Sequence, residues 1–525
     1  MNNLQENLLR RTTLGDLLTR SALRFGTRTA LVYQGTLVSY QELNSKSCQA
    51  AHAFLQLGIE RGDRVAFMTH NCLEYLYCRF GLAKIGAIPV PINFSLKEKE
   101  INYIINNSKP KLFFLEDSLV QEVMPIQDEL PSIKEYGMFS FNNQHIVPEG
   151  WIDVRRFFSG SYSDSEIEVY VESDDTATLI YTTGTEGNPK GVMTSHLNYY
   201  MSIFHFVCDV TMNREDVVLI DLPLFHVAGT TILMGALATG AKAYIEYAPD
   251  PINILKKTQD EKVTMWTYPP TLYYALPTMP NFNTYNLSSL QKCIIFGSVM
   301  PKPVLEKWKK IKPDIHWRNY WGQTESTPVG TTSMPEDFGE NTSSIGVPDT
   351  GVTVKILNEH GEEVKNGEVG ELVIRGAAVM KGYWENAELT KHTLRGGWLH
   401  TGDLGYRNEK GQFFFVDRIK DMIKTGGENV SSLEVESVLQ SHPKIAIAAV
   451  LGMPHPHWME AVTAHVVLVN DQTATKEEII AYCKEYLAGF KVPKEVTFWD
   501  QLPTSPSGKI LKTVIRDQLN SKQMN

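Results

Sequence analysis

Apolar and polar positions follow two rhythms along this chain. Over residues 40–57 apolar side chains return at helical spacing, which predicts an amphipathic helix, and Ser39 and Glu42 have the spacing of a capping box at its start. Residues 64–68 (RVAFM) form a short apolar run of strand length, and 72–85 is helical again before Pro89-Val90-Pro91-Ile92 punctuates the chain. Further buried-strand runs occupy 112–115, 217–220, 243–245 and 292–296. Helices alternating with such runs predict α/β layers around a largely parallel sheet.

The rhythm changes near Gly346. Residues 352–357, 370–375 and 412–416 are strand-like runs between glycine-rich turns, without long helices, which predicts a β-rich subdomain. After Asp417 the pattern predicts a helix over 432–440, strands over 446–451 and 461–469, and a helix over 476–487. The predicted organisation is therefore a large N-terminal domain (1–417) of layered α/β subdomains plus the β-rich subdomain. A hinge (418–420) and a small α+β C-terminal domain (421–525), large enough to fold alone, follow it.

Composition narrows the partners. A chain of 525 residues, 42% apolar and 21% charged, is ordinary for a multidomain globular protein. Its formal net charge of -10 leaves no excess of Lys and Arg to coat a nucleic acid, while a small anionic ligand held by local basic groups stays open. Cys48, Cys72, Cys78, Cys208, Cys293 and Cys483 form no CxxC pair and no zinc spacing, which fits a reducing compartment. The first residues lack the apolar core of a signal peptide. The apolar stretch 82–92 is broken by Lys84 and too short for a transmembrane segment, and SKQMN carries no targeting signal. A cytoplasmic location is expected.

The chemistry concentrates in residues 179–196, LIYTTGTEGNPKGVMTSH. A strand end runs into Thr182, Thr183, Gly184 and Thr185, and Lys190 follows after Pro189. Glycines let backbone N–H groups face an anion, hydroxyls add donors, and Lys190 adds charge, so the loop suits the β and γ phosphates of ATP. It is not a P-loop, because Gly191 rather than Ser or Thr follows the lysine.

With this segment the chain resembles the adenylate-forming superfamily of acyl-CoA synthetases, nonribosomal adenylation domains and beetle luciferases. The superfamily loop reads approximately Ser-Gly-Thr-Thr-Gly-x-Pro-Lys-Gly. Glu186 departs from it where threonine is usual, and an acid near phosphates is unfavourable unless it points away or meets a cation. Further motifs follow in family order over essentially the whole chain. Pro223-Leu224-Phe225-His226 implies an acyl-site role for His226, which read alone is a capping or core histidine. Residues 296–301 resemble the turn along the adenine and bring in Gly297 and Ser298. Residues 319–325 (NYWGQTE) resemble Tyr-Gly-x-Thr-Glu, with Trp321 as the flat face for adenine and Gly322 and Gln323 beside it. The resemblance implies that Thr324 bonds the α-phosphate and that Glu325 is the Mg²⁺ ligand.

Residues 398–403 (WLHTGD) imply Asp403 as the acceptor for the ribose hydroxyls. Arg418 is a second ribose contact, and Lys420 is the pivot of a mobile C-terminal lid. Lys424, Gly426 and Gly427 (KTGGENV) resemble the loop that serves thioester formation, with Lys424 supporting that step. Pro506-Ser507-Gly508-Lys509 resembles the terminal signature, which makes Lys509 the adenylation lysine. Pro456-His457-Trp458-Met459-Glu460 departs from the family, which carries Gly before the Glu.

The implied activity uses ATP and Mg²⁺ to convert a carboxylic acid to its acyl-adenylate, releasing pyrophosphate. The acyl group then passes to coenzyme A with release of AMP. A fatty or other apolar acid is the first choice, because residues 227–241 carry little charge and no Asp suited to an amino acid's ammonium stands out. Lys444, Lys491 and Lys494 are available for coenzyme A phosphates. An acyl carrier protein as acceptor, a phosphotransferase or NTPase releasing ADP, and a non-catalytic nucleotide binder are the alternatives, and a homodimer stays open.

Overall fold

A computed structural model of the chain describes residues 3–141, 147–182, 188–297, 300–338, 342–469, 471–504 and 510–523. The expected capping box is present: Ser39 accepts from Glu42 N at the start of helix Tyr40–Gln56, and the Glu42 carboxylate accepts from Ser39 N. Helix Leu73–Ile85 begins after Cys72 and buries all but one of its side chains, which is why that stretch shows no polar stripe.

One sheet has five parallel strands in the order Ile88–Pro91, Arg64–Met68, Leu112–Glu116, Glu135–Phe139, Ile152–Asp153. The chain leaves Arg64–Met68 toward one edge and Leu112–Glu116 toward the other. Between their carboxyl ends lies a topological switch point, where open α/β sheets place their ligand crevices. A larger sheet of 13 strands contains the parallel run Thr29–Tyr33, Lys242–Ile245, Val217–Ile220, Met265–Tyr268, Lys292–Phe296, His316–Trp321. Its second switch point lies between Val217–Ile220 and Met265–Tyr268. The loops leaving the two switch points touch, as described below.

The β-rich stretch is present as expected. Its antiparallel strands Thr331–Thr332, Ser344–Pro348, Phe413–Arg418, Leu399–Arg407, Gly370–Arg375 and Thr353–Leu357 continue the large sheet past His316–Trp321. Pairing of this kind covers the edge that a purely parallel sheet leaves open. A separate hairpin, Thr176–Thr182 with Lys190–Ser195, carries the glycine-rich loop between its strands, and Gly382–Tyr383 adds a third strand.

The C-terminal unit is small and α+β. Ile445–His455 and Met459–Leu468 form a long hairpin, and Ile423–Thr425 and Glu495–Phe498 both pair with its second strand, Met459–Leu468. Helices Ser432–Ser441 and Lys476–Tyr486 cover it over a core that includes Val435, Leu439, Val450, Val462 and Ile479. Among the described residues no helix is long and apolar enough to cross a membrane.

Candidate active site

The hairpin decides between two kinds of phosphate loop. Lys190 pairs with Thr182 across it and opens the strand Lys190–Ser195. In a P-loop the lysine stands at the start of a helix. Thr183, Gly184, Thr185 and the departure at Glu186 lie outside the described residues, as do Ser298 and Lys509. Gly297 ends strand Lys292–Phe296 at φ +79, a conformation that glycine adopts without a Cβ clash.

Residues 321–325 leave strand His316–Trp321 and turn sharply. Gln323 N donates to Ser326 Oγ at 3.1 Å, closing a short turn over Thr324–Ser326 in which Thr324 is buried. The Gln323 amide reaches Thr401 O at 3.4 Å, so the turn is tied to the Leu399–Arg407 strand. Gly322 passes so near Pro328 that a Cβ on it would lie 1.5 Å from the Pro328 carbonyl oxygen.

Two clusters flank this turn. In the first, the Trp321 indole N–H donates to Asp403 Oδ2 at 3.1 Å, and Arg418 Nε lies 3.2 Å from Asp403 Oδ1. Asp403 and Arg418 are cross-strand partners, and the carboxylate is only 3% exposed. Gly402, at φ +71, and the bond from Asp403 N to Thr401 Oγ at 3.1 Å set the direction of that side chain. In the second, Tyr383 Oη donates to Glu325 Oε1 at 2.8 Å while Lys190 Nζ lies 5.8 Å from the Tyr383 ring centroid. Burial, with the Glu325 carboxylate beside it, pushes the Tyr383 phenol well above its ordinary range, so it acts as a donor. Met380 N also bonds Glu325 O at 2.8 Å, and Trp384 N bonds Gly191 O at 2.7 Å. Residues 380–384 thus join the Lys190 hairpin to the Glu325 turn. Tyr383 was missed in the sequence, where Gly-Tyr-Trp in a turn-rich stretch was the available signal.

His226 is the N-cap of helix Val227–Thr239, its Nδ1 accepting from Ala228 N at 3.3 Å. The helix behind it is buried through residues 229–237, so it is core along most of its length. Gly426 and Gly427, at φ +59 and +86, form a two-residue hairpin turn between Ile423–Thr425 and Glu428–Val430, as paired positive φ values require. Gly426 N bonds Trp458 O at 2.9 Å. Lys424 is an exposed residue of that hairpin, and Lys420 is exposed just past strand Phe413–Arg418. The small domain meets that strand through Ser432, whose N and Oγ both donate to Asp417 Oδ2, at 2.6 and 2.8 Å.

Two sheets meeting at their switch points, followed by a small α+β domain, is the architecture of adenylate-forming enzymes. Residues 18–384 match the family model described as AMP-binding enzyme, and residues 434–509 match the AMP-binding enzyme C-terminal domain. The chain belongs to the AMP-binding enzyme family, and within it is an AMP-forming acid–thiol ligase. A feruloyl-CoA synthase of Amycolatopsis sp is 32% identical over 509 residues, covering 97% of this chain and 99% of that one. A long-chain-fatty-acid–CoA ligase of Bacillus subtilis (strain 168) is 34% identical over 527 residues, covering 95% and 93%. The crystal structure of the anthranilate CoA ligase AuaEII in complex with anthranoyl-AMP superposes with a TM-score of 0.91 at 26% identity, covering 98% of each chain.

Proposed function

We propose that this chain is an ATP- and Mg²⁺-dependent carboxylic acid–CoA ligase acting on an apolar acid, with a fatty acid as first choice and an aryl acid as the alternative. The observation that carries the reading is the pair of clusters about Trp321–Glu325. One groups a flat indole with the Asp403–Arg418 pair, which suits an adenine and its ribose diol. The other groups Glu325, Tyr383 and Lys190, which suits phosphates and a hard cation. Among the described residues no three His, Cys, Asp or Glu side chains gather as a metal site. A single carboxylate fits Mg²⁺ held mainly by nucleotide phosphates. When bound there, the ion would supply charge neutralisation between the phosphate oxygens.

In this reading Asp403 and Arg418 hold the ribose, and Gly297, Ser298, Trp321, Gly322 and Gln323 hold the adenine. Thr182, Thr183, Gly184, Thr185 and Lys190 hold the β and γ phosphates. The acid's carboxylate attacks the α-phosphate and pyrophosphate leaves. Charge accumulates on the α-phosphate oxygens, where Thr324 and Lys509 stabilise it, and Glu325 positions the cation. No general base is required, because the nucleophile is already an anion. His226 borders the acyl group.

The thiol of coenzyme A then attacks the acyl carbon, its proton passes to solvent, and AMP leaves. For that step residues 421–525 turn about 418–420, with Lys420 as pivot, and the Gly426–Gly427 turn replaces Lys509 at the site. Lys424 supports this second half-reaction. Lys491 is held by the Glu434 carboxylate at 2.6 Å, whereas Lys494 donates to the Gly489 carbonyl at 3.1 Å and lies 5.3 Å from the Trp458 ring centroid, so Lys494 keeps the less neutralised charge for a coenzyme A phosphate.

The test is AMP release from ATP and Mg²⁺ with short to long fatty acids and aryl acids, each with and without coenzyme A. Acid-dependent AMP that rises with coenzyme A supports the ligase. AMP indifferent to coenzyme A points to a carrier-protein acceptor, and ADP in place of AMP refutes adenylation.

A further inference from the structure

We infer that Asn71 is a positioning residue for the acid subsite, acting through the 222–226 turn; the inference rests on reading His226 as part of that subsite. Asn71 follows strand Arg64–Met68 at the first switch point and is 3% exposed. Its amide is used entirely across the junction of the two sheets. Nδ2 donates to Leu222 O at 3.0 Å and Glu246 O at 3.1 Å, and Oδ1 accepts from Leu224 N at 2.8 Å. Leu222 and Leu224 follow strand Val217–Ile220 at the second switch point, and Glu246 follows Lys242–Ile245.

One side chain therefore pins the backbone on both sides of Pro223. That residue has no N–H of its own, so the turn has few other ways to be held. The Pro223 carbonyl accepts from His226 N at 3.1 Å, and Thr230 Oγ donates to Leu224 O at 3.1 Å. The turn must also lie close to the next helix: a Cβ on Gly229 would stand 2.8 Å from Pro223 O. Where Asn71 holds residues 222 and 224, Phe225 and His226 follow.

The neighbouring His70 adds an apolar route to the same turn. Its ring stacks between Phe94 at 3.8 Å and Tyr247 at 4.1 Å, and its Nδ1 lies 2.8 Å from Glu116 Oε2, across the first switch point. Phe94 then meets Phe225 edge-on at 5.3 Å. Asn71 touches no reacting atom, so its effect is on where the wall of the subsite stands and not on the charge that develops at phosphorus.

Two substitutions separate this from a purely structural role. Asn71→Ala removes all three bonds. Asn71→Asp keeps the acceptor for Leu224 N but sets a carboxylate oxygen against the Leu222 and Glu246 carbonyls. Steady-state AMP formation is measured with acid and ATP varied separately, and the thermal midpoint alongside. In both variants the KM for the acid rises about tenfold or more, as expected for buried partners left unmet, while the KM for ATP stays within about twofold. The order of preference among acids of different length also shifts. An unchanged acid KM in a folded variant, or equal rises in both KM values, overturns the inference. Should both Asn71 variants fail to fold, Phe94→Leu leaves every Asn71 bond in place and removes the ring contacts to His70 and Phe225, the second support of the same turn. It raises the acid KM about threefold with the ATP KM unchanged, and no rise overturns the inference. Wild-type protein that forms no AMP with any acid refutes the ligase reading itself, whereas an active wild type with insensitive variants refutes only the role of Asn71.

Discussion

Gly322→Ala tests whether the position of the Trp321–Glu325 turn sets the rate of adenylation. The added Cβ would stand 1.5 Å from Pro328 O and 2.4 Å from Pro328 C. A carbon–oxygen contact of about 3.3 Å is the closest ordinary approach, so the two segments must part by well over an ångström. The Pro328 side cannot yield cheaply. Val329 N bonds Ser326 O at 3.0 Å, and Gly330 N bonds the buried Asp349 carboxylate at 2.7 Å. The displacement therefore falls on residues 321–325. It stretches the Trp321–Asp403 bond of 3.1 Å and the Tyr383–Glu325 bond of 2.8 Å beyond hydrogen-bond range. Overpacking of this kind costs about 1–3 kcal/mol of stability, and a misplacement of about 1 Å at a reacting centre costs about 10²-fold in rate. Acid-dependent exchange of pyrophosphate into ATP should fall about 10²-fold or more, while most of the protein stays folded at 25 °C. Gly489→Ala, whose Cβ meets nothing within 4 Å, is the matched control. A folded Gly322→Ala protein that exchanges within about threefold of wild type would refute the reasoning.

Tyr383→Phe removes the donor held 2.8 Å from Glu325 Oε1; a bond to a charged group contributes about 1.5–3 kcal/mol, so half-saturation by Mg²⁺ in AMP formation should rise about tenfold, and an unmoved Mg²⁺ titration detaches Tyr383 from the site. Lys509→Ala should abolish adenylate formation yet spare thioester formation from supplied acyl-AMP, and Lys420→Pro should do the reverse; equal loss of both half-reactions in either variant contradicts the alternation of the lid. Burial alone would raise the Glu116 carboxyl, but bonds from the His70 ring and backbone N–H, Ser118 and Tyr247 outweigh it and hold the carboxyl at about 2. Since this value is depressed on folding, the stabilisation is complete above the unfolded value near 4.5 and drains away as pH falls toward 2, so Glu116→Gln should flatten the loss of stability across that window in urea melts; an unaltered acid limb refutes the assignment.

Much of the fold was legible because local pattern and tertiary context agree. The Ser39–Glu42 box, the helix after it and the strands at 64–68, 217–220 and 292–296 need only their own residues to be read. Continuity of the β-rich strands with the large sheet was not legible, because pairing between Thr331–Thr332 and strands on either side leaves no periodic mark in two residues. The second strand of the Lys190 hairpin was hidden for a related reason. Gly191 and Thr194 interrupt the apolar run, and that strand's face is decided by Tyr383 and Trp384, nearly 200 residues later. Lys424 reads the same way in sequence and structure: an exposed lysine on a hairpin, with its role carried by resemblance alone.

The site divides along the same line. Residues assigned to one small molecule in the proposed reading sit in short runs, because a turn presents consecutive atoms to one ligand; Trp321 to Glu325 and residues 398–403 are assigned in that way, and those runs could be read from sequence. Residues that hold those runs in place answer to partners far away. Tyr383 bonds a carboxylate 58 positions earlier, and Asn71 bonds carbonyls 151 and 175 positions later. Neither has neighbours whose type or spacing announces the contact. A buried amide with both ends satisfied is indistinguishable in sequence from one capping a helix. The supporting shell is nevertheless what converts a list of suitable groups into a geometry, since a carboxylate or an indole displaced by an ångström keeps its chemistry and loses its effect. Substitution at these unannounced positions is therefore the sharper probe of how this ligase works: it leaves every motif residue in place and changes only where each one stands.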